Sequence, residues 1–201
     1  MIRILSDSAS DITSEYAKKH NIDIVPMHIT FEDKEFLDGV DLTFDEFYDR
    51  LENSQDLPKT SQVNPADWEA KINMYPNDEI LIITMSSLLS GTYNSALIAS
   101  EDKPNVRVVD SLNVTAGITI LVDRAIALIE EGKTIDEIKS ILDEEKKHIR
   151  LLAVLDTLKY LRKGGRISSA VAFVGGILGI KPMIEIKDGE VNFLGIAKGS
   201  R

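Results

Sequence analysis

Four short junctions carry most of the side chains able to do chemistry in this chain. They are Ser6-Asp7-Ser8, Thr60-Ser61-Gln62, Ser86-Ser87 with Ser90-Gly91-Thr92, and Asp110-Ser111. All but Thr60-Ser61-Gln62 follow an apolar run that reads as a strand, and all precede a segment that reads as a helix. In an open α/β sheet, ligands bind in the crevice outside the carboxyl ends of the strands. Hydroxyls and helix amide groups gathered there suit one anionic group. Ser90 can cap a helix and donate to a ligand at once, and Gly91 lets a ligand approach the backbone. The competing reading makes these residues helix caps alone, since Ser and Thr are preferred there.

The usual reactive partners of a serine are missing from the pattern. A hydrolase would need a histidine and a carboxylate beside it. The three histidines, His20, His28 and His148, fall away from the predicted strand ends and read as surface or packing residues. There is no Gly-x-Ser-x-Gly elbow and no glycine-rich phosphate loop. There is no cysteine, which excludes thiolate catalysis, disulfides and Cys-based zinc sites. Asp7, Asp11 and Asp110 could meet around a metal, but capping explains them as well. The sequence thus assigns no catalytic residue, no metal ligand and no cofactor, and the pocket reads as a binding site.

The chain has 201 residues, 43% apolar and 28% charged, with a net charge of −10. That is enough for one or two domains with a core. The charge is uneven. Residues 31–56 hold ten acids against Lys34 and Arg50, whereas residues 157–184 hold five basic side chains and no acid. An acidic chain is a poor general nucleic-acid binder, and the acidic window reads as a solvated surface. The basic window, with Lys163-Gly164-Gly165-Arg166, could receive an anion or an acidic partner. Its glycines also read as a left-handed helix stop. No apolar run reaches the roughly 18 residues of a membrane span. Met1 leads straight into a strand with no signal peptide, so the chain reads as cytoplasmic.

The elements that must hold these junctions alternate. Strands are predicted over 2–5, 22–31, 79–85 and 106–109. Helices are predicted from Asp11, over a Phe44, Phe47, Tyr48 and Leu51 stripe, and from Asn64-Pro65. Further helices are predicted over 90–100 and 114–131, and from Thr134 to about His148. Thr43-Phe44-Asp45-Glu46 and Thr134-Ile135-Asp136-Glu137 are capping boxes. This order predicts an α/β fold whose N-terminal domain, 1–149, has a parallel sheet with helices on both faces. A second, α+β domain begins at 150, with a strand over 151–155 and short helices over 158–163 and 168–178. It ends in a hairpin turning at Asp188-Gly189. With 201 as its last residue, that second domain reads as incomplete.

Six ordered segments give the chain a resemblance. They are Ser6-Asp7-Ser8-Ala9-Ser10-Asp11, Lys59-Thr60-Ser61-Gln62, residues 87–96 (SLLSGTYNSA), Val109-Asp110-Ser111, residues 155–167 (LDTLKYLRKGGRI) and Leu178-Gly179-Ile180-Lys181-Pro182. Together they are similar to the DegV family of bacterial fatty-acid-binding proteins. The resemblance implies a two-domain protein that holds one long-chain fatty acid, palmitate for example, in a tunnel between domains. It implies that the carboxylate is bound by Thr60, Ser61 and Ser90 beside Gly91, with Arg166 as the glycine-loop arginine. It also implies a carrier that is not itself an enzyme and that presents the acid to a separate kinase subunit; charge and hydropathy add the expectation of no nucleic acid and no membrane insertion. Two departures stand out: Val63 replaces the family's usual proline after Thr-Ser-Gln, and Lys198-Gly199-Ser200-Arg201 replaces an Arg-Gly-Arg pattern. The rival readings are a phosphotransfer enzyme related to dihydroxyacetone kinases, using Asp7 or Asp110 with a metal, and a regulatory module with a vestigial pocket.

Overall fold

The computed structural model describes residues 1–32, 34–54, 56–167 and 180–198. The helix predicted over 168–178 and the departure at 199–201 lie outside them.

Four short apolar runs build the central sheet: β1 (Ile2–Asp7), β2 (Ile22–Val25), β6 (Glu79–Thr84) and β7 (Val106–Asp110). All pair in parallel, in the order β2-β1-β6-β7. Alternate side chains point to opposite faces of a strand, and both faces here are apolar. Ile4, Leu81, Ile83 and Val109 meet α1 (Ser14–His20), α5 (Ala116–Glu130) and α6 (Ile135–Glu145) through Ala17, Ile118, Leu121, Leu128, Ile138 and Leu142. Leu5, Ile80, Ile82, Val106 and Val108 meet α3 (Pro65–Asn73) and α4 (Thr92–Ser100) through Trp68, Ile72 and Ala96. The expected parallel sheet with helices on both faces is present.

The predicted strand over 22–31 is two strands. Pro26 has no N–H for a ladder. The chain leaves the parallel sheet there and enters a second sheet, of β3 (His28–Phe31), β4 (Lys34–Leu37) and β5 (Lys59–Ser61), antiparallel in the order β4-β3-β5. Ile29, Phe31, Phe36 and Leu42 form a small core of their own, with Phe47 of α2 (Phe44–Asn53) against it. The helix expected at the Phe44, Phe47, Tyr48 and Leu51 stripe forms; Phe44 is 83% and Tyr48 57% exposed. The expected capping boxes at Thr43 and Thr134 both form. Asn64, ahead of Pro65, makes a third with Asp67.

A third sheet joins β8 (Leu151–Val154), β9 (Ile180–Lys187) and β10 (Glu190–Lys198), antiparallel in the order β10-β9-β8. A short helix, α7 (Lys159–Lys163), follows β8. The hairpin turn is where the sequence puts it. Asp188 and Gly189 both have positive φ, 52° and 85°, the backbone that Asp-Gly hairpin turns require.

Candidate functional site

The strand order reverses between β1 and β6, so the ligand crevice of such a sheet opens at their C-terminal ends. Three of the four junctions lie there, but most of their polar groups are spent on the backbone. The Asp7 carboxylate accepts from Ala9 N at 3.1 Å and from Met85 N at 2.7 Å. It thereby ties the end of β1 to the residue after β6. Burial pushes this carboxyl up to about 6, against three backbone hydrogen bonds that lower it. Ser6 donates to Ile83 O, and Ser8 Oγ accepts from Met27 N. Asp110 Oδ1 accepts from Ser87 N and Leu112 N. Ser111 Oγ accepts from Asn113 N and donates to Asn113 O. These groups hold the loops at the strand ends in place. Both oxygens of Asp7 face N–H donors, which leaves it unsuited to the metal that the phosphotransfer reading would give it. Among the described residues, no group of three or more His, Asp or Glu is placed to hold a metal.

Ser90 behaves differently. The N-cap of α4 is Gly91, not Ser90, and it makes no side-chain cap bond. Ser90, one residue earlier, shares a hydrogen bond with Thr92 Oγ1 at 2.9 Å and accepts from Thr92 N at 3.3 Å. It is only half-buried. Thr60 and Ser61 do not sit in a loop, as their position ahead of α3 suggests, but on β5, opposite Ile29 and His28 of β3. Both are exposed, and among the described residues their hydroxyls bond no protein group.

What joins β5 to the Ser90 segment is Gln62. Its Nε2 donates to Ser95 Oγ of α4 at 2.6 Å. Its carboxamide lies on Gly91, where an added Cβ would come within 1.9 Å of Gln62 Oε1. Thr60 and Ser61 reach the Ser90 segment by way of Gln62; no direct hydrogen bond links them to it. Val63, where the DegV pattern has proline, is fully buried against the Trp68 side of the sheet and fixes the chain after Gln62.

Arg166 arrives from the other direction. Gly164 and Gly165 stop α7, Gly165 at φ 72°, the left-handed stop the sequence suggests. The returning Arg166 donates from Nε to Leu89 O at 3.1 Å and from Nη1 to Gly164 O at 2.6 Å. Its exposed guanidinium therefore sits on the residue before Ser90. Arg166 thus reaches the segment that carries Ser90 and Gly91 through the Leu89 carbonyl. Gln62, quoted in the motif but given no role there, brings in the strand that carries Thr60 and Ser61. The only signal for it in sequence was its adjacency to them.

His28 opens β3, nearer a strand end than its sequence position implies. Its ring bonds Glu35 of β4 and Asp67 of α3, both at 2.8 Å. Asp67 first and Glu35 second hold its pKa above the usual histidine value. That is a packing role, not a catalytic one.

Comparison with known proteins places this arrangement. A DegV domain-containing protein of Clostridium perfringens is 35% identical over 204 residues, which cover 100% of this chain and 73% of the relative. A fatty-acid (stearic acid)-binding protein from Eubacterium ventriosum shares the fold with a TM-score of 0.89 at 34% identity, over 99% of this chain and 71% of that one. The Streptococcus pneumoniae Fatty Acid Kinase (Fak) B3 protein loaded with linoleic acid gives 0.85 at 25% identity, over 99% and 73%. A family model described as "Uncharacterised protein, DegV family" matches residues 1–201 from end to end, and the chain belongs to that family.

Proposed function

We propose that this chain binds one long-chain fatty acid, of the palmitate kind, as a non-catalytic carrier. Its carboxylate rests against the hydroxyls of Thr60, Ser61 and Ser90 and the Gly91 backbone, with Arg166 as counter-charge. The acyl chain runs between the parallel-sheet domain, residues 1–149, and the antiparallel sheet that follows it. The observation that carries this reading is the Arg166 guanidinium bonded to the carbonyl of Leu89, the residue before Ser90-Gly91, with two hydroxyls on β5 that bond no protein group among the described residues. An ionised carboxylate leaving water needs both hydrogen bonds and a compensating charge, and this set offers both. Arginine suits the task because its planar fork matches a carboxylate. Support comes from the structural neighbours named for stearic and linoleic acids.

The likeness to a protein named as a fatty acid kinase component supports a further step. The carrier presents the carboxylate to a separate kinase subunit in the cytoplasm, and that subunit transfers the phosphoryl group. No described helix is long and apolar enough to cross a membrane.

Ser90→Ala tests the reading. Hydrogen bonds to charged groups contribute roughly 1.5–3 kcal/mol, so stearate affinity should fall about 10- to 150-fold. Because Ser90 Oγ also accepts from Thr92 N at the start of α4, a stability loss of about 1 kcal/mol should accompany it, and affinity is compared where both forms are folded. Isothermal titration and thermal unfolding measure both. Unchanged stearate affinity in this variant would remove Ser90 from the site.

A further inference from the structure

Gly91 poses a steric question that its backbone does not answer. Its φ of −74° and ψ of 2° are open to any residue. The conformational freedom of glycine is therefore not what the position requires. What forbids a side chain is the Gln62 carboxamide. All three atoms nearest to a Cβ at 91 belong to it: Oε1 at 1.9 Å, Cδ at 2.8 Å and Nε2 at 3.3 Å. No other protein atom comes closer than these.

The same carboxamide is anchored beyond the glycine. Nε2 donates to Ser95 Oγ at 2.6 Å, one turn into α4, and Ser95 is 1% exposed. Gln62 thus crosses the open face of Gly91 and is pinned on the helix behind it. On its own side, Gln62 follows Ser61 directly and precedes the buried Val63. β5 is held along its other edge by the ladder to β3.

We infer that Gln62 and Gly91 form a positioning lock, a carboxamide seated in the space of a missing side chain, that sets the spacing between the Thr60–Ser61 hydroxyls and Ser90. The inference deepens the fatty-acid reading and rests on it for the ligand, but the seating of Gln62 does not depend on any ligand. Gln62 is a positioning residue: it acts through the strand that carries the hydroxyls and through the turn that carries Ser90. The contact is made by the far end of a flexible side chain, so displacing it disturbs the fold little and the register of the two arms more.

The test is a double-mutant cycle on stearate affinity, with melting temperatures alongside. Gly91→Ala should weaken stearate binding about tenfold while the melting temperature stays within a few degrees of wild type. Gln62→Ala should weaken it similarly. In the Gln62→Ala background the three atoms nearest the added methyl are gone, so Gly91→Ala should then cost almost nothing more. Equal costs of Gly91→Ala in both backgrounds would overturn the lock and make position 91 a direct ligand contact. Full affinity in both single variants would overturn it too.

A second readout needs no ligand. The two side-chain amide protons of Gln62 should give separate, dispersed NMR signals that move in Ser95→Ala and collapse toward free-glutamine positions in Gly91→Ala. If wild type fails to bind stearate, the fatty-acid reading falls and these signals decide the lock alone. Free-glutamine positions already in wild type would overturn the lock, whatever the ligand.

Discussion

Asp7 is ionised at neutral pH inside a site that disfavours its charge. Its carboxyl is fully buried and sits at about 6, against 3.8 for an unhindered aspartate. A raised carboxyl contributes most to stability below the unfolded value, and the contribution is lost as pH rises through the folded one. Two units correspond to roughly 3 kcal/mol between the extremes. Asp7→Asn removes the titration and keeps an oxygen for Ala9 N. We therefore expect wild type to gain on Asp7→Asn by about 2–3 kcal/mol between about pH 7.5 and about pH 4, read by denaturant unfolding at each pH. Titration of other carboxylates cancels in the difference, and a gap that stays flat would show that Asp7 does not titrate in this window. At this scale the sequence was informative where a motif survives as a string: the Gly-Gly-Arg stop returns Arg166 to Leu89, the residue before Ser90. It was silent on what each polar group bonds. Nothing in Ser6-Asp7-Ser8 announces that both carboxylate oxygens face backbone N–H groups. Nothing in Thr-Ser-Gln announces that its third residue, Gln62, fills the space above Gly91.

Between elements, His28 is the fastening of the small antiparallel sheet. It stands opposite Ser61 and bonds a carboxylate on each side, Glu35 within the sheet and Asp67 on α3. Asp67 also completes the capping box with Asn64, so one carboxylate joins a helix start to a strand start. A neutral imidazole has one N–H and can donate to only one partner. The folded pKa is raised, so the stability from His28 is full below about 6.5 and is lost as pH rises through its folded value. The melting-temperature gap between wild type and His28→Ala should therefore narrow from about pH 6 to about pH 9. A gap that widens with pH would mean the neutral ring is the one that holds the sheet. The elements with local signals were legible, because capping boxes and apolar runs are written in a few adjacent residues. The split of 22–31 was not, because apolar residues continue on both sides of Pro26 and only the missing N–H marks the change of sheet. β5 escaped notice for another reason: three polar, exposed residues have no hydrophobic alternation to read. The stripe of Phe44, Phe47, Tyr48 and Leu51 gave the helix α2 but not what covers its face, since periodicity does not report it.

For the molecule as a whole, the alternating order of strands and helices was enough to give the parallel sheet and its two helical layers. The way the antiparallel β8-β9-β10 sheet meets it was not legible, since Asp188-Gly189 reads as an ordinary solvent-facing turn. In the structure Asp188 is exposed, but Gly189 is buried against the loop after β6. Ser86 donates to Gly189 O at 2.7 Å, and a Cβ at 189 would fall 2.8 Å from Ser86 Oγ, 3.1 Å from Leu88 and 3.2 Å from Leu112. With the Arg166 bond to Leu89, the residues beyond 150 touch both sides of the loop that leads to Ser90. Two glycines separate the backbone cost from the docking cost. Gly132, with φ 78° at the end of α5, has nothing within 4 Å of an added Cβ, so Gly132→Ala should cost about 1–2 kcal/mol for the left-handed backbone alone. Gly189, with φ 85°, carries the same penalty plus about 1–3 kcal/mol of overpacking. Gly189→Ala should therefore be the more destabilising in denaturant unfolding. It should also weaken stearate binding, because relief of the clash moves the loop at 86–89 that supports Ser90 and receives Arg166. Gly132→Ala should leave binding at the wild-type level. Equal losses of stability in the two variants, with binding untouched in both, would mean that the hairpin turn rests on the crevice without holding it.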